Sequence, residues 1–394
     1  MIYNKYIKEN KFNLGFEQTS YTCKEKRPKK HNCHKHKQIY THNNIPISDF
    51  AEIAENLKNY NYNFEGKTVL LLGGSGFLGT MAKLYFLYLN DYILTDKCKI
   101  VSIDNYIGRE KPKEIEDPNL FHLEFDLTRS VYFQLKNNGI SKIDFILNFT
   151  GNASPSGPSG YEKNPVETMD ISYIGTKHVL EMATLEEASL LNCSSSEVLG
   201  TPDEKDIPTS EEVVPKIHTM NKRSPYDVFK AGLETLSWVY KTKYGTNVKV
   251  VRLFNCVGYF NQKDGRVIPN FISKAIKGEK LPLFAPGTQT RTFSFFTDVL
   301  TGIILVLLNG KDFLYHIGNP NNEISMLDLA KLVEKTSGKT NLVEIVPTPE
   351  VFLHEPKRRC PSIEKAKREI GFEPKVDLEE MLRRIYTWAE KTYD

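Results

Sequence analysis

The sequence predicts an α/β fold built on a doubly wound parallel sheet, and three observations support this prediction. Short continuous apolar runs, of the kind that form fully buried strands, alternate with stretches of helical periodicity between residues 67 and 253. A glycine-rich loop at residues 73–79 follows the first apolar run and opens a helix. After Asn255 the alternation becomes irregular, which predicts a smaller C-terminal α/β lobe over the carboxyl ends of the strands. The expected architecture is a Rossmann-type sheet with a substrate-binding lobe.

The predicted elements follow one another with short connections. Residues 1–47 are expected to form a basic, disordered tail, and Ser48 is the predicted N-cap of a short helix at 49–57. The predicted strands lie at residues 67–73, 99–103, 121–125, 143–149, 189–193 and 249–253. The predicted helices lie at residues 76–89, 131–137, 166–183, 225–244, 267–277, 297–308, 326–336 and 378–391. The expected domains are the tail (1–47), a cofactor-binding domain (48–255) and a mainly substrate-binding lobe (256–394).

Charge and composition exclude several classes of protein. The net charge is +3, but residues 1–50 carry ten Lys/Arg against four Asp/Glu, or +6, so the rest sums to −3. Residues 51–394 are therefore close to neutral and show no basic patch of the kind that binds nucleic acid. No apolar run approaches the roughly 20 residues that cross a bilayer, and the N-terminus lacks a signal-peptide core. The six scattered cysteines fit reduced thiols. We expect a cytoplasmic protein without membrane or nucleic-acid partners.

The tail offers one alternative reading, a metal site. The stretch at residues 23–37 contains Cys23, His31, Cys33, His34 and His36. They contain no C-x-x-C pair and match no known zinc-binding spacing. A solvated basic segment is therefore predicted, and no metal is expected.

The glycine loop predicts a dinucleotide site. Gly73, Gly76 and Gly79 give the spacing G-x-x-G-x-x-G, and Phe77 and Leu78 open the following helix. Glycines here permit a tight turn and close approach of the backbone to a pyrophosphate, while the helix N-terminus offers N–H groups to the phosphates. The alternative is a glycine turn without a ligand.

Residues after the second and third predicted strands identify the dinucleotide. Asp104 can accept hydrogen bonds from ribose hydroxyls, and its charge would repel a 2′-phosphate, so NAD is favoured over NADP. Asn105 and Arg109 follow as further candidate cofactor ligands, and Asp126 with Leu127 could cap the adenine.

A tyrosine and a lysine four residues apart form the predicted reaction centre. Tyr226 and Lys230 lie on one face of a predicted helix, where an ammonium can lower the pKa of a phenol and make it a base. A serine-rich segment at 191–198 lies between the glycine loop and this helix. Together they suggest hydride transfer, with Tyr226 taking a hydroxyl proton, NAD taking the hydride and a serine orienting the oxygen. The alternative is a surface helix and an unrelated loop. Both Tyr226 and Lys230 are also expected to contact the cofactor.

These features resemble the extended short-chain dehydrogenases that modify nucleotide sugars, over about residues 66–392. The segments that carry the resemblance are the glycine loop, Asp104, residues 195–198 and the Tyr226/Lys230 pair. Within the group, the sequence is most similar to the UDP-glucuronate decarboxylase (UDP-xylose synthase) branch. The strings that support this are at residues 152–155, 164–166, 174–176, 264–271, 287–293, 359–363 and 371–374.

The resemblance implies a reaction. Oxidation at C4 of the sugar gives a β-keto acid, which loses CO2 to give UDP-xylose or the 4-keto pentose. Ser195 would donate a hydrogen bond to the C4 oxygen. Ser196 and Glu197 follow it at the positions where dehydratases carry Asp-Glu. Glu197 and Arg359 would serve the carboxylate and the protonation step.

The resemblance also implies how the nucleotide sugar is bound. The substrate ligands would be Ser154, Asn255, Arg266, Asn270, Arg291 and Arg359. The sequence departs from the branch at four places: residues 148–151 replace a His-Leu-Ala run, residues 157–161 appear as an insertion, and Leu199 and Tyr259 replace Tyr and Pro.

Other functions remain open from the sequence. A nucleotide-sugar 4-epimerase or 4,6-dehydratase uses the same scaffold and shares the serine-rich segment. A sensor or scaffold that binds NAD without chemistry is the alternative from another class, although such proteins commonly lose the tyrosine or the lysine. Members of the group usually dimerise through a four-helix bundle, which the apolar stripes of residues 166–183 and 225–244 could form; alternatively, these stripes only face the sheet.

Overall fold

A seven-stranded parallel sheet is the centre of the protein in the computed structural model, which describes residues 44–107, 110–259, 266–349 and 356–393. The strands, in chain order, are β1 (Thr68–Leu72), β2 (Lys99–Asp104), β3 (Leu120–Glu124), β4 (Phe145–Asn148), β5 (Ser189–Ser195), β6 (Val248–Leu253), β7 (Cys256–Val257), β8 (Leu281–Phe284), β9 (Thr290–Thr292), β10 (Ser294–Phe295), β11 (Leu314–Ile317), β12 (Glu323–Ser325), β13 (Val343–Val346) and β14 (Arg358–Arg359).

The helices pack on both faces of this sheet and in the second lobe. In chain order they are α1 (Ile47–Asn56), α2 (Phe77–Tyr92), α3 (Tyr132–Asn137), α4 (Pro165–Asp170), α5 (Thr176–Glu186), α6 (Ser224–Tyr244), α7 (Val267–Lys277), α8 (Phe296–Asn309), α9 (Met326–Ser337), α10 (Glu364–Ile370) and α11 (Leu378–Ala389). A single π-helical turn, Ile171–Gly175, joins α4 to α5, so the predicted helix 166–183 is continuous but widened in its middle.

The order of the large sheet is β11-β6-β5-β4-β1-β2-β3, and each pairing is parallel. The chain moves outward from β1 through β2 to β3 and then crosses back to β4. This reversal opens a crevice between the carboxyl ends of β1 and β4, where doubly wound sheets bind ligands. The predicted fold class is confirmed.

Burial explains why these segments are strands. The four residues after Thr68 in β1 are fully covered, as expected for a central parallel strand with helices on both faces. One hydrophobic core lies between the sheet and helices α2 and α8 and extends into the second lobe. Another lies on the opposite face, beneath α3 and α5.

The second lobe is built from small sheets. β8 pairs with β13 in parallel, and β9 lies between β12 and β14. The division of the chain at residue 255 is not strict, however, because β11 returns to the large sheet and pairs with β6. Sequence analysis did not predict β11 or α10, since each is a short segment without a clear period.

The N-terminal helix begins earlier than predicted. α1 starts at Ile47, directly after Pro46, and Ser48 lies inside it rather than capping it. The helix packs against α2 and α8, and Asp49 accepts a hydrogen bond from the hydroxyl of Tyr259. Residues 1–43 of the predicted tail, with its cysteine and histidine cluster, lie outside those described. Its last four residues are ordered, because Ile45 is buried in the core and Ile47 begins α1.

Candidate active site

A large cleft lies at the carboxyl ends of the strands, between the sheet and the second lobe. Its volume is about 1540 Å³, enough for a dinucleotide and a further ligand, and residues from both parts of the chain line it. Within the described residues no helix is both long and apolar enough to cross a membrane. The described residues also contain no cluster of His, Cys, Asp or Glu that could hold a metal ion.

The glycine loop forms one wall of the cleft, where β1 meets α2. Gly76 precedes the helix in extended conformation, and α2 begins at Phe77, so its first N–H groups lie at the cleft. A Cβ at Gly79 would overlap the carbonyl oxygen of Gly73, so only glycine permits this close packing of helix on loop. Gly73, Gly76, Phe77, Leu78 and Gly79 all line the cleft. The geometry fits a pyrophosphate beside the helix N-terminus.

The carboxylate of Asp104 organises the neighbouring loops. It lies at the end of β2, 7% exposed, and accepts hydrogen bonds from the backbone N–H of Ser75 (2.9 Å) and of Tyr106 (3.0 Å). Asp104 therefore fixes the glycine loop as well as offering oxygens to a ligand. Asn105 lines the cleft beside it.

Only one of the two residues predicted to cap the adenine lines the cleft. Leu127 lines it, whereas Asp126 does not and instead accepts hydrogen bonds from the backbone N–H and the hydroxyl of Thr128, both at 2.9 Å. Arg109, predicted as a cofactor ligand, lies outside the described residues.

Tyr226 and Lys230 face the cleft from the first two turns of α6. Lys230 is 4% exposed, and its Nζ donates hydrogen bonds to the carbonyl oxygens of Thr150 and Cys193, both at 2.9 Å. The same ammonium lies 6.0 Å from the centre of the Tyr226 ring. Cys193 belongs to β5 and Thr150 to the turn directly after β4, so the sheet and its adjoining turn anchor the lysine.

Burial shifts the pKa of both groups toward the neutral form. It lowers the pKa of Lys230 to about 8. It raises the pKa of Tyr226 above its usual value, although the hydrogen bond with Ser195 opposes this increase. In the protein alone, burial thus outweighs the predicted effect of the ammonium, and Tyr226 is a neutral phenol at pH 7. Added positive charge beside its oxygen is needed to make it a base.

The serine segment places Ser195 and Glu197 beside this pair. Ser195 ends β5, and its Oγ accepts a hydrogen bond from the backbone N–H of Glu197 at 3.2 Å. Ser196 is 2% exposed at the start of the 3₁₀ turn Ser196–Leu199. Ser195, Ser196 and Glu197 all line the cleft.

Glu197 is held between two arginines. Arg359, from β14 in the second lobe, and Arg223, from the start of α6, each form an ion pair with one of its carboxylate oxygens. Burial alone would raise the pKa of Glu197, but the two positive charges outweigh it and hold the pKa at about 2. Glu197 is therefore a fixed carboxylate throughout the physiological range of pH. Arg359 itself lies behind Glu197 and is not among the residues that line the cleft.

Four of the six predicted substrate ligands line the other half of the cleft, whereas Ser154 and Arg359 do not. Asn255, Arg266, Asn270 and Arg291 all contribute to its wall. The guanidinium of Arg266 lies over the ring of Phe77, 6.0 Å from its centre, which links the second lobe to the glycine loop. Ser154 does not line the cleft, although its neighbours Ala153 and Pro155 do.

Two residues of this site were missed by sequence analysis. Arg223 precedes Tyr226 by three residues, so helical spacing could have placed it on the same face. Tyr161 is 1% exposed, and its ring stacks on that of Tyr226 with centroids 5.5 Å apart and planes at 15°. It belongs to the segment 157–161 that sequence analysis had marked as an insertion, and nothing local in the sequence indicated the stacking.

Comparisons with known proteins agree on the kind of protein. Residues 69–318 match the model of the NAD dependent epimerase/dehydratase family. The chain is similar to UDP-glucuronic acid decarboxylase 1 of Xenopus tropicalis, with 32% identity over 82% of this chain and 72% of that protein. It is also similar to UDP-glucuronic acid decarboxylase 3 of Arabidopsis thaliana, with 33% identity over 83% of this chain and 90% of that protein. A solved dTDP-glucose 4,6-dehydratase from Bacillus anthracis, in complex with NAD, has a TM-score of 0.70 and 26% identity, covering 82% of this chain and 97% of that one.

Proposed function

The chain belongs to the NAD dependent epimerase/dehydratase family, and from this premise we propose that it decarboxylates UDP-glucuronate. One structural observation supports decarboxylation in particular among the reactions of this family. Glu197 and Arg359, the two residues that the decarboxylase resemblance singles out, lie 162 positions apart and meet beside Ser195 and Tyr226. Similarity to decarboxylases over four fifths of the chain supports the same reaction.

The cofactor in this proposal is NAD. The glycine loop would hold the pyrophosphate, since the absence of a side chain at Gly79 lets the helix pack closely on the Gly73 carbonyl. Asp104 and Asn105 would hold the ribose of the adenosine half, and Leu127 would cover the adenine. Bound NAD accepts a hydride from the sugar.

In the oxidation step, Tyr226 would remove the proton of the C4 hydroxyl. Ser195 would donate a hydrogen bond to the same oxygen and hold it near the phenol, and Lys230 would remain protonated beside them. The positive charge of the oxidised cofactor, added to that of Lys230, would bring the pKa of Tyr226 down from its raised value. The sugar then carries a ketone at C4 next to the carbon that bears its carboxylate.

In the second step, the bond between C5 and the carboxylate carbon breaks. Its electron pair passes to the ketone to form an enolate, CO2 leaves, and C5 takes up a proton. Because the two arginines keep Glu197 ionised, we assign it the role of orienting them rather than of donating that proton. The diphosphate and nucleotide would contact Asn255, Arg266, Asn270 and Arg291.

The experiment that tests the proposed function is mass spectrometry of the sugar nucleotide after incubation with NAD and UDP-glucuronate. We expect the product to have lost the mass of CO2 if the hydride returns from the reduced cofactor to C4, which gives UDP-xylose, or the mass of CO2 and two hydrogens if the 4-keto pentose is released. An isomer of unchanged mass with altered retention would replace the proposal with a 4-epimerase. In a parallel incubation with a nucleotide hexose, loss of water would replace it with a 4,6-dehydratase. Absence of turnover on a panel of nucleotide sugars would overturn an enzymatic function on this substrate class.

The second part of the proposal is a homodimer formed through a four-helix bundle. Large apolar side chains are exposed on both candidate helical segments: Val166 (60%), Tyr173 (46%) and Ile174 (40%) on α4 and the π-helical turn, and Trp238 (54%) on α6. Exposed apolar side chains grouped on neighbouring helices are typical of an interface between subunits.

Light scattering tests the dimer. We expect the wild-type protein to have twice the mass of the chain and the Trp238→Glu variant, which places a charge in the candidate interface, to dissociate. The matched control is Phe133→Glu, since Phe133 is 63% exposed on α3, outside the two candidate segments. A monomeric wild-type protein, or equal dissociation of both variants, would contradict this interface.

We also propose that the protein works in the cytoplasm. The four cysteines that lie within the described residues, Cys98, Cys193, Cys256 and Cys360, are all free, which suits a reducing compartment. Fractionation of cells with an antibody to the protein would test this location.

A further inference from the structure

A chain of buried side-chain hydrogen bonds lies directly behind Lys230. It begins at Asn148, the last residue of β4, which is 1% exposed. Its Oδ1 accepts hydrogen bonds from both the backbone N–H (3.1 Å) and the hydroxyl (2.6 Å) of Thr150. This closes a tight turn of three residues and fixes the orientation of the Thr150 carbonyl, which receives one N–H of the Lys230 ammonium.

The other end of the Asn148 amide is tied to the helix that carries the lysine. Its Nδ2 donates to Oδ1 of Asn192 (2.8 Å), directly opposite on β5, and Nδ2 of Asn192 donates to the hydroxyl of Ser237 (2.8 Å). Ser237 lies on α6 two turns after Lys230, and both Asn192 and Ser237 are fully buried. The chain is thus a closed frame: it leaves α6 at Ser237, crosses two strands and returns to α6 at Lys230.

The frame lies directly beside the two carbonyl groups that hold the Lys230 ammonium. Both carbonyl groups that accept from Lys230 belong to or adjoin the frame. Thr150 is bonded to Asn148, and Cys193 follows Asn192 in β5. Gly151, which follows Thr150, has a φ of 131°, and a Cβ there would lie 3.1 Å from the lysine Nζ. The glycine therefore leaves room for the ammonium that a side chain at this position would restrict.

We propose that Asn148 is a positioning residue for catalysis, which acts through Asn192, Ser237 and the Thr150 carbonyl to hold the Lys230 ammonium beside Tyr226. Asn148 is not among the residues that line the cleft. Residues 148–151 are one of the places where this sequence departs from its branch, which carries a His-Leu-Ala run there. The frame therefore gives residues 148–151 a physical role, which the proposed decarboxylation does not itself require.

Other charged and titratable groups also face the ammonium, and the test has to separate them. Tyr226 lies one turn before Lys230 on α6, and Glu234 lies one turn after it. The Cys193 thiol lies on β5. Burial lowers the pKa of Lys230 to about 8, and Cys193 and Glu234 oppose this decrease. These groups are unchanged in a variant of Asn148.

The first test needs no substrate. Nuclear magnetic resonance of the cofactor-free protein with ¹³C-labelled lysine ε-carbons follows the titration of Lys230, whose signal is identified by its loss in Lys230→Arg. In Asn148→Leu the Thr150 carbonyl is released, so the charged amine loses a fixed acceptor and its pKa should fall by about half a unit or more.

The matched control is Asn90→Leu. Asn90 is equally buried (3% exposed) in the same domain, and its amide also bridges backbone groups, donating to the carbonyl of Cys98 and accepting from its N–H. This variant should lose stability and leave the titration of Lys230 unchanged. If Asn148→Leu does not fold, Ser237→Ala opens the far end of the frame and should shift the titration in the same direction by less.

A kinetic test rests on the proposed function. In Asn148→Leu we expect kcat to fall about 10-fold with little change in KM, since proton transfer and not binding is affected. If the wild-type protein turns over no nucleotide sugar, the proposed function fails while the titration still decides the role of Asn148. The positioning role is refuted if Asn148→Leu and Ser237→Ala leave the titration unchanged, or if Asn90→Leu shifts it equally.

Discussion

At the residue scale, the site is defined by which groups are charged in the absence of ligand. Tyr226 is a neutral phenol because burial raises its pKa, and Glu197 is a fixed carboxylate because two arginines hold its pKa at about 2. Lys230, with a pKa of about 8, is mostly protonated at neutral pH. Tyr226 would become a base only when the positively charged cofactor is present. Proton removal would then depend on occupancy of the cofactor site.

Replacement of Tyr226 by phenylalanine tests the base directly. We expect Tyr226→Phe to lower kcat by about 10²–10⁴-fold, the usual contribution of a general base, while NAD binding stays intact. Stopped assays of product formation and calorimetric titration with NAD measure the two effects. Tyr240→Phe, which removes another buried phenol on the same helix, is the control and should retain wild-type turnover. Full activity of Tyr226→Phe would rule out the mechanism.

Arg223 gives a prediction about pH. In Arg223→Gln, Glu197 keeps only Arg359, so its pKa should rise from about 2 toward its usual value near 4.5. Glu197 will then take up a proton as the pH falls through the raised pKa, and activity should decline at a higher pH than in the wild-type protein. The pH profile of kcat between pH 4 and 7, in the same assay, measures this change. Identical acidic limbs for the two proteins would show that the charge of Glu197 does not matter for turnover.

At the scale of single elements, the loop from β1 into α2 was predictable because all of its requirements are local. The glycine spacing, the apolar strand before it and the helix after it are adjacent in sequence. Elements whose existence depends on distant partners were missed: β11 has only four residues, and one of them is His316, so it shows no apolar run or alternation. It is a strand because β6 provides a parallel edge for it.

The close packing of this loop predicts a selective loss of cofactor. In Gly79→Ala the new methyl group would meet the Gly73 carbonyl, so the helix must move away from the loop and NAD affinity should fall at least about 10-fold. Fluorescence titration with NADH measures the affinity. Gly232→Ala is the control, because a Cβ at that helical position meets only the Tyr173 ring at an ordinary 3.5 Å. Unchanged affinity in Gly79→Ala would mean that the loop does not hold the pyrophosphate.

At the scale of the whole molecule, a buried polar network joins the large sheet to the segments around the site. Arg252 on β6 makes a bidentate ion pair with Glu234 on α6, and the hydroxyl of Ser194 donates to the same carboxylate. His316 is fully buried next to Arg252, and its Nδ1 lies 3.1 Å from the carbonyl oxygen of Thr209. Burial and the nearby guanidinium lower the pKa of this histidine to about 3.

His316 therefore makes stability depend on pH. Its pKa is lower in the folded than in the unfolded protein, where it is near 6.5, so the unfolded state binds more protons and stability falls as the pH decreases from about 6.5 toward 3. In His316→Gln this contribution is absent. The decrease in Tm between pH 7 and pH 5, measured by calorimetry, should be smaller in the variant by about 2 °C or more. The raised pKa values of Asp49 and Asp298 act in the opposite direction, but equally in both proteins. Equal decreases in Tm would contradict the assignment of a neutral His316.

The sequence by itself determined the fold class and the cofactor loop, and it identified Tyr226 and Lys230 as the candidate reaction centre. Each of these depends on residues within a few positions of one another, so local spacing and periodicity specify them. Only the tertiary structure decided that Arg223 and Arg359 share Glu197 and that Tyr161 stacks on Tyr226. The same holds for the hydrogen-bonded frame behind Lys230. These contacts join residues far apart in the chain, and no local period records which strand ends and loops the folded sheet brings together.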